Sequence, residues 1–140
     1  MDDFDRFVDA LQKEIDLETR RDFSDRVVKL GSNPENWGRM EDANVHARYT
    51  GPCGDTMEFY LMIDDGVITK ISFMTNGCAP SIASGSQATL LALGKTVDEV
   101  MNIESSDILG ALGRLPESHH HCPELARRTL HLAIEKYKEG

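Results

Sequence analysis

No stretch of the sequence approaches the roughly 18–20 consecutive apolar residues that a membrane-spanning helix needs, so a helical membrane role is not expected. Positive charge is scarce as well: 15 Lys and Arg stand against 24 Asp and Glu, a net charge of -9. Binding to nucleic acid phosphates or to anionic lipid is driven by Lys and Arg. Both partner classes are therefore disfavoured, and a basic protein or a cation is favoured. Cysteine is sparse and odd in number, with three in the chain. Three thiols cannot pair off into a disulfide framework, which leaves metal ligation, sulfur chemistry or plain burial. The Met1-Asp2-Asp3 start lacks the basic region and apolar core of a secretory signal, so the expected compartment is a reducing cytoplasm. No linker or repeat divides the chain. Its 140 residues, 40% hydrophobic and 28% charged, read as one globular domain over 1–140, long enough to bury a core.

Phe4, Phe7, Val8, Leu11 and Ile15 recur at spacings of three and four, which predicts an amphipathic helix within an N-terminal extension of residues 1–22. A second helix is expected over 24–30, ending at Gly31. The Ser32-Asn33-Pro34-Glu35-Asn36-Trp37-Gly38 stretch that follows is dense in turn formers and predicts a structured loop, with Trp37 packing its large ring. Apolar and polar residues alternate over 44–49, 57–63 and 67–74, the signature of half-buried strands. The last two are joined by Asp64-Asp65-Gly66, a hairpin signal. Helices are then expected over 82–93, 97–101, 107–112 and 123–137. Ala126, Leu130, Ala133 and Tyr137, broadened by Leu125, Leu132 and Ile134, supply the face that covers the sheet. Strands followed by helices give the α+β class, a small three-stranded antiparallel sheet packed against helices.

The residues that carry chemistry lie at the junctions of these elements. In Asn76-Gly77-Cys78-Ala79-Pro80-Ser81 a strand ends and a helix begins, with Pro80 suited to its first turn. Cys78 then sits at a helix N-terminus, where about half an elementary positive charge favours thiolate. In Gly51-Pro52-Cys53-Gly54-Asp55, read as extended chain, Cys53 and Asp55 project to the same side. In Ser118-His119-His120-His121-Cys122-Pro123, Pro123 in the first helical turn makes Cys122 the N-cap. Loops held by a rigid scaffold are where metal and catalytic groups concentrate. Three cysteines with a carboxylate and imidazoles suit tetrahedral zinc or an iron-sulfur cluster equally well.

At these residues the chain resembles the IscU/NifU-type iron-sulfur cluster assembly scaffold family. The resemblance runs through Asn33-Pro34-Glu35-Asn36-Trp37-Gly38, Gly51-Pro52-Cys53-Gly54-Asp55-Thr56-Met57, Gly77-Cys78 with Ile82-Ala83-Ser84, Gly94-Lys95-Thr96, Leu115-Pro116 and His121-Cys122. It implies that Cys53, Asp55, Cys78, His121 and Cys122 converge at one end of the fold as metal and cluster ligands, with His119 and His120 offering the same chemistry beside His121. It further implies an assembly scaffold rather than a turnover enzyme. Such a protein accepts persulfide from a cysteine desulfurase, draws on iron and electron donors, holds a transient 2Fe-2S cluster and passes it to apo iron-sulfur proteins. Cys122 is the first expected persulfide acceptor and Cys53 the second. The family's chaperone-recognition segment reads Leu-Pro-Pro-Val-Lys, whereas this chain has Leu115-Pro116-Glu117-Ser118-His119, which counts against Hsp70-assisted release.

Three other functions compete. A zinc-dependent sulfur-transfer protein of the Suf type would use the same fold and ligands; those relatives carry an insertion between the second and third cysteine motifs, and no extra segment is evident between Leu93 and Leu115. A cysteine hydrolase with Cys78 as nucleophile and His121 as base would leave two cysteines idle. A zinc-stabilised interaction module would lose its fold with its metal.

Overall fold

The computed structural model describes residues 22–140 together with Asp3 and Arg6. Apart from Arg6, the helix expected around Phe4 to Ile15 lies outside the described residues. Helix α1 spans Asp25–Ser32 and is followed by strands β1 (Val45–Thr50), β2 (Thr56–Asp64) and β3 (Val67–Thr75). Helices α2 (Ala79–Ala92), α3 (Val97–Met101), α4 (Ser105–Leu112), a 3-10 turn at Glu117–His119 and α5 (His121–Glu139) complete the chain. The expected α+β class is the observed one.

The strands pair antiparallel in the order β1-β2-β3. Asp65 and Gly66 join the last two with both φ angles positive, at 52° and 75°, the backbone of the two-residue turn that matches strand twist. Past that turn Thr69 is an extra residue in β3: Met62 pairs with Lys70, whereas Ile63 pairs with Ile68. The segment around Trp37 seals the free edge of β3. Gly38 N donates to Phe73 O at 2.9 Å and Phe73 N donates to Asn36 O at 3.0 Å, while the Trp37 ring meets Phe73 edge-on at 5.3 Å. Trp37 packs as expected, although it stays 43% exposed.

One face of the sheet carries the core. Met57, Phe59, Leu61, Ile68 and Phe73 lie under Leu130, Ala133 and Ile134 of α5 and Ala83 and Ala88 of α2. Helix α2 has no clear polar face because it needs none. Its Ala, Ser and Thr side chains are buried on several sides, between the sheet, α1 and α5. The buried hydroxyls find partners: Ser84 donates to Pro80 O at 2.8 Å within the helix, and Ser86 donates to Glu35 O at 3.0 Å in the loop before β1. A helix of small residues lets its neighbours approach closely, and that closeness corrects one expected boundary. Helix α1 does not stop at Gly31 but continues to Ser32. A Cβ at Gly31 would lie 2.9 Å from Ala79 O, so this glycine is a point of contact with the mouth of α2 rather than a helix stop.

Other boundaries shift by a turn or less. Helix α4 begins two residues before the expected Asp107, because Asp107 Oδ2 reaches back to accept from Glu104 N at 2.8 Å. Helix α5 begins at His121 rather than Pro123, with His120 as N-cap. Cys122 is therefore inside the first turn and not the cap the sequence suggested. Among the described residues no helix is long and apolar enough to cross a membrane.

Candidate metal centre

Three connections meet at one end of the sheet: the β1–β2 turn, the β3–α2 junction and the start of α5. The ends of β2 and β3 are fastened to each other there. Thr56 N donates to Asn76 Oδ1 at 2.8 Å and Thr75 Oγ1 donates to Thr56 O at 2.7 Å. Residues 51–55 are not extended chain but a tight turn, closed by Gly51 N donating to Asp55 O at 2.9 Å and Gly54 N donating to Gly51 O at 3.0 Å. Cys53 and Asp55 converge nonetheless, because the turn brings them together where strand alternation was expected to. No described donor bonds the Asp55 carboxylate, so it is not the anchor of its own turn; backbone bonds close the turn, and Asn76, just past β3, holds Thr56 N beyond it.

Cys78 is the N-cap of α2, as the sequence predicts, and its carbonyl accepts from Ser81 N at 2.9 Å and Ile82 N at 3.0 Å. Gly77 precedes it for a steric reason. A Cβ there would fall 2.6 Å from the Ser81 side chain and 3.2 Å from Asp55 Oδ2. The absent side chain is what allows the Asp55 carboxylate to lie against the mouth of α2. Cys78 and Cys53 are exposed, whereas Cys122 is buried with 0% of its surface accessible.

Burial disfavours the thiolate form of Cys122. Its thiol is pushed up from 9.0 to about 11, first by loss of solvent and further by the nearby Cys78, Asp55 and Cys53; the Ser81 hydroxyl, donating to Sγ at 3.3 Å, opposes this only in part. In the metal-free protein Cys122 is a thiol at neutral pH. A positive helix end is a partial charge, and here it does not offset the cost of leaving water.

The three consecutive histidines separate by geometry. His120 Nε2 donates to Leu115 O at 2.8 Å and so closes the loop before α5. His121 Nδ1 donates to Ser118 O at 3.1 Å, which fixes the tautomer with an open Nε2, 3.7 Å from Cys122 Sγ. Donor atoms of Cys53, Asp55 and His121 lie within 4.8 Å of one another, and a second group of Cys78, His119 and Cys122 meets the same limit. All five residues singled out in the sequence are thus brought into two adjacent triads. His119, which the sequence offered only as a substitute for His121, stands in the second triad in its own right. Three thiols, two imidazoles and one carboxylate form a donor set for a borderline-soft cation rather than for calcium or magnesium.

A cleft of about 540 Å³, lined by Tyr49, Gly51, Pro52, Cys53, His121, Glu124, Leu125 and Arg128, opens beside the first triad. Arg128 rests over the Tyr49 ring, 5.6 Å from its centroid. Next to the cleft, Arg127 forks onto Glu124, and Ser105 Oγ donates to the same carboxylate at 2.5 Å. These bonds, led by Arg127, hold Glu124 down at about 2. Sequence reading missed this clamp on the first turn of α5. Its only sequence signal is a Glu-Arg pair three residues apart.

The family described as NifU-like N terminal domain matches residues 22–140. This chain belongs to that family. It is 41% identical over 116 residues to the iron-sulfur cluster assembly scaffold protein IscU 1 of Archaeoglobus fulgidus, covering 82% of this chain and 76% of that one. It is 36% identical over 124 residues to the scaffold protein IscU of Aquifex aeolicus, covering 85% and 79%. Among solved structures, a NifU-like N-terminal protein from Brucella abortus superposes with a TM-score of 0.67 at 23% identity, covering 83% of this chain and 94% of the other. A structure titled as a scaffold protein for the SUF system, from Fervidobacterium islandicum, gives a TM-score of 0.66 at 21% identity, covering 83% and 98%. Those two share the fold. The chain is an iron-sulfur cluster assembly scaffold protein by family, and its thiol and imidazole triads are candidate metal-binding groups.

Proposed function

We propose that this chain builds a labile 2Fe-2S cluster on Cys53, Asp55, Cys78, His121 and Cys122 and hands it to apo iron-sulfur proteins. The observation that carries the reading is that three separate connections bring thiols, a carboxylate and imidazoles together as two triads, the donor atoms of each lying within 4.8 Å of one another. Iron and sulfide are cargo here. Sulfur arrives when a thiolate of this chain attacks the outer sulfur of a cysteine desulfurase persulfide, releasing the desulfurase thiolate and leaving a persulfide on the scaffold. Two electrons from a reductant then convert that outer sulfur to sulfide.

The burial of Cys122 moves the preferred acceptor to Cys53. Attack needs a thiolate and access; Cys53 is exposed on the cleft wall, whereas Cys122 is a buried thiol. Asp55 supplies the lability. A hard carboxylate oxygen yields to an incoming thiolate more readily than a sulfur ligand does. The sequence of 115–119 still argues against a dedicated chaperone for release.

The same donors suit zinc, so zinc-dependent sulfur transfer is the second reading. One experiment separates the two. Anaerobic protein supplied with ferrous iron, cysteine and a desulfurase develops sulfide-to-iron absorption and near-stoichiometric acid-labile sulfide if the scaffold reading holds. Stoichiometric zinc that iron and sulfide do not displace moves the assignment to sulfur transfer.

A further inference from the structure

Sequence reasoning put five residues in one site, whereas the structure arranges six donors as two triads that share no residue. The second triad rests on His119. A ring nitrogen of His119 lies within 4.8 Å of Sγ of both Cys78 and Cys122, and its Nδ1 is buried with no hydrogen-bond partner among the described residues. A buried polar atom left without a partner is costly, and nothing among the described residues offsets that cost for this imidazole. Its ring is flanked by Phe23, with centroids 5.7 Å apart, and by His121 at 6.3 Å. The neighbouring His120, tied to Leu115 O, is in neither group.

We propose that Cys78, Cys122 and His119 form a metal subsite of their own, taking one borderline-soft divalent cation of the ferrous or zinc class without help from Cys53, Asp55 or His121. The inference rests on reading the junction cluster as metal-holding. Charge supports the division. With its ligands deprotonated, each triad contributes two negative charges and one neutral imidazole, matched to one divalent ion. Geometry supports it too: tetrahedral donors at bond lengths of about 2.0–2.3 Å stand roughly 3.6 Å apart, so an apo spacing within 4.8 Å needs closure of about one ångström at most. Three protein donors leave a fourth position open for sulfide or another incoming ligand.

Cobalt(II) is the probe, because its visible bands report tetrahedral geometry and its near-ultraviolet bands report thiolate ligation. The full chain carrying Cys53→Ser and Asp55→Ala, which removes the anionic donors of the other triad, is titrated anaerobically. One tetrahedral, thiolate-ligated cobalt per chain is expected. Adding His119→Ala should then weaken binding by more than the roughly 10- to 100-fold that loss of an outer-shell partner costs, with the far-ultraviolet circular dichroism unchanged. Failure of the doubly substituted chain to bind cobalt, or equal affinity and spectrum after His119→Ala, overturns the proposal. If His119→Ala disrupts the fold, imidazole nitrogen resonances of the unsubstituted chain decide: a His119 shift on adding zinc supports ligation, and an unmoved resonance overturns it. Cluster assembly is scored separately by acid-labile sulfide. Cobalt binding as described, with no cluster built on the unsubstituted chain, sinks the scaffold reading alone, and the reverse outcome sinks this one alone.

Discussion

Cys122 illustrates how one residue's environment sets its chemistry. Its thiol is held at about 11 against an ordinary 9.0, chiefly by burial. The folded chain therefore binds this proton more tightly than the unfolded chain does. Stability from that difference is full below about pH 9 and declines as pH rises from about 9 to about 11 in the metal-free protein. Metal ligation works against it, since the bound form is thiolate. Zinc binding at pH 7 should release about one proton from Cys122, measured by calorimetric titration in buffers of different ionisation enthalpy. Cys122→Ser should lower the release by about one. An unchanged proton count would place Cys122 outside the ligand set. Its replacement should also cost on the order of 1 kcal/mol in thermal stability, a buried polar swap softened by the Ser81 hydroxyl, while Cys53→Ser and Cys78→Ser, both exposed, leave the melting temperature unmoved.

At the scale of elements, periodicity located the strands and helices because each of them has a buried and a wet side, or a turn that announces its end. Asp65-Gly66 marked its hairpin through the left-handed conformations that turn demands. What local pattern could not reveal was contact between elements. Gly31 looks like a helix stop and is a close approach to Ala79; Pro123 looks like a helix start and sits two residues inside one. The candidate residues were legible as types at junctions, but their division into two triads and the burial of Cys122 depend on which side of each loop faces the core. Gly77 carries the clearest test of this close fit. Gly77→Ala places a Cβ 2.6 Å from Ser81 and should cost about 1–3 kcal/mol as overpacking, with weaker cluster retention because the proposed cluster site takes both Cys78 and Asp55 as ligands. Gly110→Ala, in helix α4 with nothing within 4 Å of the new Cβ, should instead stabilise by about 0.5–1 kcal/mol. Equal melting temperatures for the two variants would show that the junction has slack.

Over the whole molecule, helices α2 and α5 press on one face of the sheet while three connections at one end gather every cysteine of the chain. The rigid part is apolar and buried; the reactive part is at an edge where Cys53 and Cys78 stay exposed. The net charge of -9 suits encounter with basic partner surfaces rather than nucleic acid. If the chain carries a cluster as proposed, the exposed Cys53 and Cys78 give exchange a route that leaves the core closed. Loose holding of the cluster through Asp55 is the central claim, and the direct measurement is the rate at which a reconstituted cluster passes to an apo-ferredoxin. Wild type should transfer its cluster fully, while Asp55→Ala should retain its cluster longer and deliver it more slowly at an unchanged melting temperature. An Asp55→Ala cluster that decays faster than the wild-type cluster, or a wild-type cluster that never leaves, would contradict it.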